Sequence, residues 1–224
     1  MHNTYEKGRL LLINKPLNWT SFDVIKKLRN TLKIKKIGHA GTLDPLATGL
    51  LLIGTGKFTK KLSELQGLNK TYCGIMEIGK TTPSYDLETA FNGQAHWQHL
   101  VKEDFERVKN ELTGTIQQIP PAYSAIKVDG ERAYKKARDN REVKIDPRSI
   151  HIYDFTISTE RIPEIDFEVT CSKGTYVRTL AHDFGEKLGV GAYLKKLTRT
   201  KVGDYDLDDA LEIEEFIDQQ HEDS

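Results

Sequence analysis

Cysteine is scarce. Cys73 and Cys171 are the two in 224 residues, and they form no Cys-x-x-Cys pair. That excludes a disulfide framework and a cysteine zinc site, and it makes a reducing compartment, the cytoplasm, the expected location. Long apolar runs are missing as well. The longest aliphatic ones, such as Leu10–Ile13 and Leu50–Ile53, are four residues. A membrane-spanning helix needs about 20, and the N-terminal run is too short for a signal peptide. Net charge is absent too, with 33 Lys and Arg against 33 Asp and Glu. No repeat and no low-complexity linker marks a domain boundary. With 38% hydrophobic and 29% charged residues, the composition is globular rather than disordered. The length suits one domain, residues 1–224, carrying an insertion.

The zero net charge hides an uneven distribution. Residues 1–60 carry net +8, residues 61–170 net −3, residues 171–202 net +5, and residues 203–224 net −10. Two basic blocks far apart in sequence either converge on one polyanion-binding face or form two solvated surfaces beside an acidic tail.

Periodicity predicts a mixed order of elements. Arg9–Ile13 reads as a short buried strand. Thr20 or Ser21 caps a helix whose residues Ile25, Leu28 and Leu32 share one face. Residues 38–49 form a glycine-rich loop, Phe58–Leu65 a helix, and Thr71–Ile78 a strand. Val101, Phe105, Val108 and Leu112 keep helical spacing, and Gly114 is the stop. Residues 116–148 differ. They contain Ile119-Pro120-Pro121, the turn Asp129-Gly130 and a basic stretch from Arg132 to Arg148, and read as an inserted arm. Its alternative is an exposed helix laced with ion pairs. Ser149–Ile157 and the alternating Ile165, Phe167, Val169 and Cys171 are strands. Val177, Leu180, Ala181, Phe184 and Leu188 make a helical stripe. A last helix, Asp208–Ile217, starts with acids that suit the positive end of its dipole. Together these predict the α/β class, α+β in its mixing: a central mixed, largely antiparallel sheet flanked by helices.

The loop Gly38-His39-Ala40-Gly41-Thr42-Leu43-Asp44-Pro45-Leu46-Ala47-Thr48-Gly49 carries the most chemistry. Its glycines allow positive φ and close backbone approach. Pro45 stiffens the chain beside Asp44. A carboxylate fixed at such a point is a nucleophile or base, or else it caps the segment that follows. Two other motifs fail. Gly54-Thr55-Gly56-Lys57 lacks the spacing and the hydroxyl of a P-loop. His96-x-x-His99 lacks a third ligand for a metal. A second informative segment is Lys173-Gly174-Thr175-Tyr176-Val177-Arg178-Thr179-Leu180, a strand end, glycine turn and helix start. Arg178 sits one position from the apolar stripe, so its guanidinium turns inward and needs an anion. That anion is Asp44 or any nearby acid.

The 38–49 string resembles the catalytic loop of TruB-type tRNA pseudouridine synthases. So do Lys70-Thr71-Tyr72, the Pro-Pro-Ala-Tyr-Ser-Ala stretch at 120–125, Gly174–Leu180 and Leu197-Thr198-Arg199. The resemblance runs in order from about Leu10 to about Gly203. It implies the pseudouridine synthase fold and isomerisation of a uridine, uridine 55 of the tRNA T-loop, with the base flipped into a pocket. On this resemblance Asp44 is the essential carboxylate and Arg178 pairs with it. Tyr72 stacks on the flipped base near the proton leaving carbon 5. His39 enters the space the nucleotide vacates, Leu197 lines the pocket, and Arg199 contacts backbone phosphate. Lys15 shapes the pocket floor. No metal or other cofactor is implied, and no guide RNA or obligatory protein partner, so a monomer acting on tRNA is expected. The chain reaches Ser224 in an acidic helix where many family members continue into a PUA-type domain, so that domain is expected to be absent. A non-catalytic RNA-binding protein on the same fold is the rival. It would have no use for a carboxylate inside a basic site.

Overall fold

The computed structural model describes residues 4–128, 130–139 and 141–222, with residues 221 and 222 described by backbone alone. Asp129 of the expected Asp129-Gly130 turn lies outside the described residues. In chain order the first elements are α1 (Thr4–Lys7), β1 (Leu10–Lys15), α2 (Ser21–Leu32), β2 (Ile37–His39), β3 (Ala47–Thr55), α3 (Leu62–Gln66) and β4 (Lys70–Ile78). Next come β5 (Lys80–Thr81), β6 (Gly93–Gln94), α4 (Lys102–Glu111), β7 (Gly114–Gln118), β8 (Lys127–Val128), β9 (Glu131–Arg132) and α5 (Ala133–Arg138). The last are β10 (Arg148–Arg161), β11 (Glu164–Cys171), α6 (Val177–Leu188), β12 (Ala192–Val202), β13 (Tyr205–Asp206), β14 (Leu211–Glu212) and α7 (Ile213–Glu222). The chain forms two compact units. One is Met1–Cys73 with Leu197–Ser224, and the other is Gly74–Lys196, so the division falls within β4 and β12. No helix among the described residues is long and apolar enough to cross a membrane.

In the first unit the strand order is β14-β1-β3-β12. β1 runs antiparallel to β3, β12 parallel to β3, and β14 parallel to β1. The run Leu50–Ile53 is wholly buried in β3, as expected for a strand covered on both faces. Its side chains alternate. Leu51 and Ile53 pack with Ile13 and with Val24, Ile25, Leu28 and Leu32 of α2. Leu50 and Leu52 pack with Ala40 and Val202. Period two supplies both cores from one strand. Thr20 caps α2 through a reciprocal capping box with Asp23, the predicted start. Two expectations change here. The predicted Phe58–Leu65 helix is a 3-10 turn, Gly56–Lys61, followed by α3. The predicted Asp208–Ile217 helix begins only at Ile213. Leu211 is drawn into parallel pairing with Ile13, and a strand bond there outweighs helical spacing.

In the second unit β10 lies antiparallel between β11 and β7. Phe155 of β10 meets Phe167 and Phe184 edge-on, with ring centroids 6.3 and 6.2 Å apart. The arm is shorter than predicted. Gln118 pairs with Arg148 and Ile116 with Ile150, so both predicted ends belong to strands and the insertion is residues 119–147. Inside it, Ala133 and Ala137 of α5 are buried. Four-residue spacing gives this short helix one inward face.

Candidate active site

The loop between β2 and β3 comes from the first unit. His39 closes β2, and Ala47 opens β3. No helix follows Asp44, and its carbonyl accepts the Ala47 N–H at 3.0 Å. The side chain of Asp44 is half-buried. Two tethers reach the loop from the start of α2. The Ser21 hydroxyl accepts the Leu43 N–H at 2.9 Å and lies 3.2 Å from the Leu43 carbonyl, to which it can donate. The Asn18 N–H donates to the Pro45 carbonyl at 2.8 Å.

Two buried cations hold the loop on either side of Asp44. Lys15 has no solvent exposure. Its ammonium donates to the carbonyls of Trp19 at 2.6 Å, Pro16 at 2.8 Å and Pro45 at 3.4 Å. Burial pushes its pKa down to about 8, and the nearby Asp44 charge opposes that fall. Arg199, on β12, is 1% exposed. Its Nε donates to the Leu50 carbonyl at 2.7 Å, and a terminal nitrogen donates to the Gly41 carbonyl at 3.3 Å. The phosphate contact expected of Arg199 does not suit a guanidinium buried in this way. Its geometry is that of a brace on the loop. Gly49 makes the brace possible. It sits at φ 105°, and a Cβ there would lie 2.3 Å from the Arg199 carbonyl oxygen.

His39 is half-buried, and its Nδ1 has no hydrogen-bond partner among the described residues. Burial lowers its pKa, the Arg199 charge adds to that, and the Gly41 backbone opposes it. The ring is therefore neutral at pH 7. Tyr72 on β4 and Leu197 on β12 are 8% and 7% exposed. Leu197 stands opposite Ala47 in the β12–β3 register. The Thr200 hydroxyl donates to the Thr71 carbonyl at 3.3 Å.

Arg178 belongs to the second unit. It lies in the first turn of α6 and is 3% exposed. Within this unit its guanidinium donates to the Ser84 carbonyl at 3.1 Å and the Tyr123 carbonyl at 3.0 Å. It stands 3.5 Å from a carboxylate oxygen of Asp86. The other Asp86 oxygen accepts the Glu88 N–H at 2.9 Å. Sequence reasoning required an acid for Arg178 but did not name Asp86. Thr82-Pro83-Ser84-Tyr85-Asp86 reads as an ordinary turn, and no spacing rule links position 86 to position 178.

A carboxylate on a loop that buried cations hold by its carbonyls has the fixed position a nucleophile or base requires. The family model TruB family pseudouridylate synthase (N terminal domain) matches residues 29–177, and the tRNA pseudouridylate synthase B C-terminal domain model matches residues 178–224. The chain is 51% identical to tRNA pseudouridine synthase B of Flavobacterium johnsoniae, over 95% of this chain and 96% of that one.

The chain belongs to the TruB family of pseudouridylate synthases.

It is therefore an isomerase of the kind that turns uridine into pseudouridine. A second TruB relative, tRNA pseudouridine synthase B of Bacteroides fragilis, is 46% identical over 96% of this chain and 97% of its own. Among solved structures, a chain of a Cbf5-Nop10-Gar1 complex superposes with a TM-score of 0.74 at 26% identity. That match covers 96% of this TruB-family chain and 54% of the neighbour, so the chain spans about half the neighbour's length.

Proposed function

We propose that this enzyme isomerises uridine 55 in the T-loop of tRNA, unaided by a guide RNA or a protein partner, with Asp44 as the essential carboxylate. The observation that carries the reading is Asp44 itself. It is a half-buried carboxylate whose loop is tied down at Gly41, Leu43 and Pro45 by Arg199, Ser21 and Lys15. A module that only bound RNA would gain nothing from a negative charge held so firmly beside phosphates.

The reaction breaks the bond between N1 of uracil and the ribose. The base turns, C5 joins the same ribose carbon, and the C5 proton leaves while N1 gains one, so product and substrate are isomers. A base inside a folded loop is reached only by flipping it out of its stack. Asp44 acts at the ribose. Arg178 is assigned the pairing that keeps Asp44 ionised, on the family resemblance. Tyr72 stacks on the flipped base near C5. His39, neutral and flat, takes the space the nucleotide leaves, and Leu197 gives the base an apolar wall. Lys15 and Arg199 act through the loop backbone as positioning residues.

The test is conversion of an unmodified tRNA transcript by the purified protein alone. Pseudouridine at position 55, and none in a transcript carrying cytidine there, supports the reading. Modification only after another protein or RNA is added overturns the unaided part, and modification at a different position overturns the site.

A further inference from the structure

One segment of the second unit combines an uncommon backbone conformation with an aromatic stack. Tyr85 has φ 65°, a left-handed conformation that bulky side chains rarely adopt. Its ring lies flat on the ring of His182, with centroids 3.8 Å apart and planes inclined by 8°. The neighbours of Tyr85 are the groups that hold Arg178. Ser84 supplies a carbonyl to the guanidinium, and Asp86 supplies the carboxylate. Arg178 and His182 are four residues apart on α6, so they project from one helix face. The segment is further folded on itself. The Thr82 and Ser84 hydroxyls lie 2.6 and 3.2 Å from the Asp86 carbonyl and donate to it, and the Leu194 N–H donates to the Tyr85 carbonyl at 2.8 Å. His182 itself has a buried Nδ1 with no hydrogen-bond partner among the described residues. Its contribution on this face is its plane.

We propose that His182 is a positioning residue for Arg178: by stacking on Tyr85 it holds the Ser84–Asp86 segment in the left-handed conformation that presents the Ser84 carbonyl and the Asp86 carboxylate to the guanidinium. Helix α6 grips the segment twice, once through charge and once through a ring. Releasing the ring lets Tyr85 relax toward negative φ. That relaxation rotates the peptide units on either side, and those units carry both partners of Arg178. The inference rests on the reading that Arg178 belongs to the reaction machinery.

The experiment compares His182→Leu, which keeps the volume and loses the flat face, with His182→Phe, which keeps a stacking plane. Single-turnover pseudouridine formation at saturating tRNA, tRNA affinity and melting temperature are measured for each. His182→Leu is expected to slow turnover about tenfold with affinity within twofold of wild type, and His182→Phe to come within threefold of the wild-type rate. In an Arg178→Lys background, His182→Leu should add little further loss, because the two act through one group. A wild-type rate for His182→Leu, a His182→Phe enzyme as slow as the leucine variant, or full additivity with Arg178→Lys each overturns the proposal. If Arg178→Lys is itself fully active, the assignment of Arg178 falls and this inference falls with it. An impaired Arg178→Lys beside a fast His182→Leu sinks the stack alone. Should His182→Leu fail to fold, the rate and cycle measured on His182→Asn decide in the same way, since it also lacks the ring.

Discussion

At position 44 charge and shape can be separated. Asparagine keeps the outline of aspartate and its fit between Leu43 and Pro45, so Asp44→Asn is expected to fold and bind tRNA normally while forming no product. General acid–base contributions alone are typically 10²–10⁴-fold. Residual turnover above about 1% of wild type would therefore remove Asp44 from the essential role. A second residue reports on electrostatics through stability. Burial pushes the Asp183 carboxyl up to about 6 from its ordinary 3.8, with Lys187 opposing and Glu186 assisting. A carboxyl raised in the folded state contributes stability below the unfolded value, and that contribution is lost as pH rises through about 6. At pH 7.5 the ionised group therefore opposes folding. Raising the carboxyl from 3.8 to about 6 corresponds to about 3 kcal/mol, and partial exposure of the group reduces that to about 1–2 kcal/mol. Asp183→Asn should raise the melting temperature at pH 7.5, and the gain should shrink toward zero at pH 4. An equal gain at both pH values would show that ionisation is not its source.

The join between β3 and β12 shows how two elements make one functional geometry. Gly49 faces Arg199 across a parallel pair, and its missing Cβ is what lets the two backbones approach. Gly49→Ala combines a left-handed strain with a clash against backbone that has no room to yield. The expected loss is about 3 kcal/mol or more, read as a fall in denaturant midpoint. A midpoint within error of wild type would mean the strands can separate without consequence. This join also marks where sequence reading stops. The Gly38–Gly49 string announces its own rigidity, Thr20 announces the start of α2, and the alternation from Ile165 to Cys171 announces β11, because each signal is local. The phosphate contact of Arg199 is implied by the family resemblance alone, since nothing nearby in the sequence says that the carbonyls of Gly41 and Leu50 will be brought to it. Asp86 is silent for the same reason: its partner lies 92 positions away in the chain. The helix predicted from Asp208 fails because Leu211 answers to β1, a strand about 200 residues earlier.

The arm at 119–147 is the RNA clamp on the reading proposed from the sequence, and its structure divides it into two parts. The first part touches Arg178, because the Tyr123 carbonyl is one of the acceptors of its guanidinium. With Arg178 in its proposed role, deleting the arm outright would disturb the chemistry along with any binding. The second part carries the charge. Arg138 pairs with Glu88 at 2.6 Å, Arg141 with Glu131 at 2.8 Å and with Asp139 at 3.1 Å, and Lys144 approaches Glu142 at 3.9 Å. These pairs answer the reading of the arm as a self-paired helix only in part, since they are exposed. Arg138 and Arg141 are 61% and 46% accessible. Surface pairs of this kind are worth about 0–1 kcal/mol, so a phosphate can take the place of the carboxylate. Replacing Lys135, Arg138, Arg141 and Lys144 together by glutamine leaves Tyr123, Ala133 and Ala137 untouched and keeps the Arg178 cradle. If two or three of the four meet phosphates, each contributes about 0.7–0.9 to the slope of log affinity against log salt. The variant's slope should then be shallower by about 1–3, its tRNA affinity weaker at moderate salt, and its turnover at saturating tRNA close to wild type. Affinity measured at several salt concentrations for both proteins is the check. An unchanged slope would assign the polyanion to the basic N-terminal block, and a collapse of saturated turnover would mean that the arm's charges reach the chemistry itself.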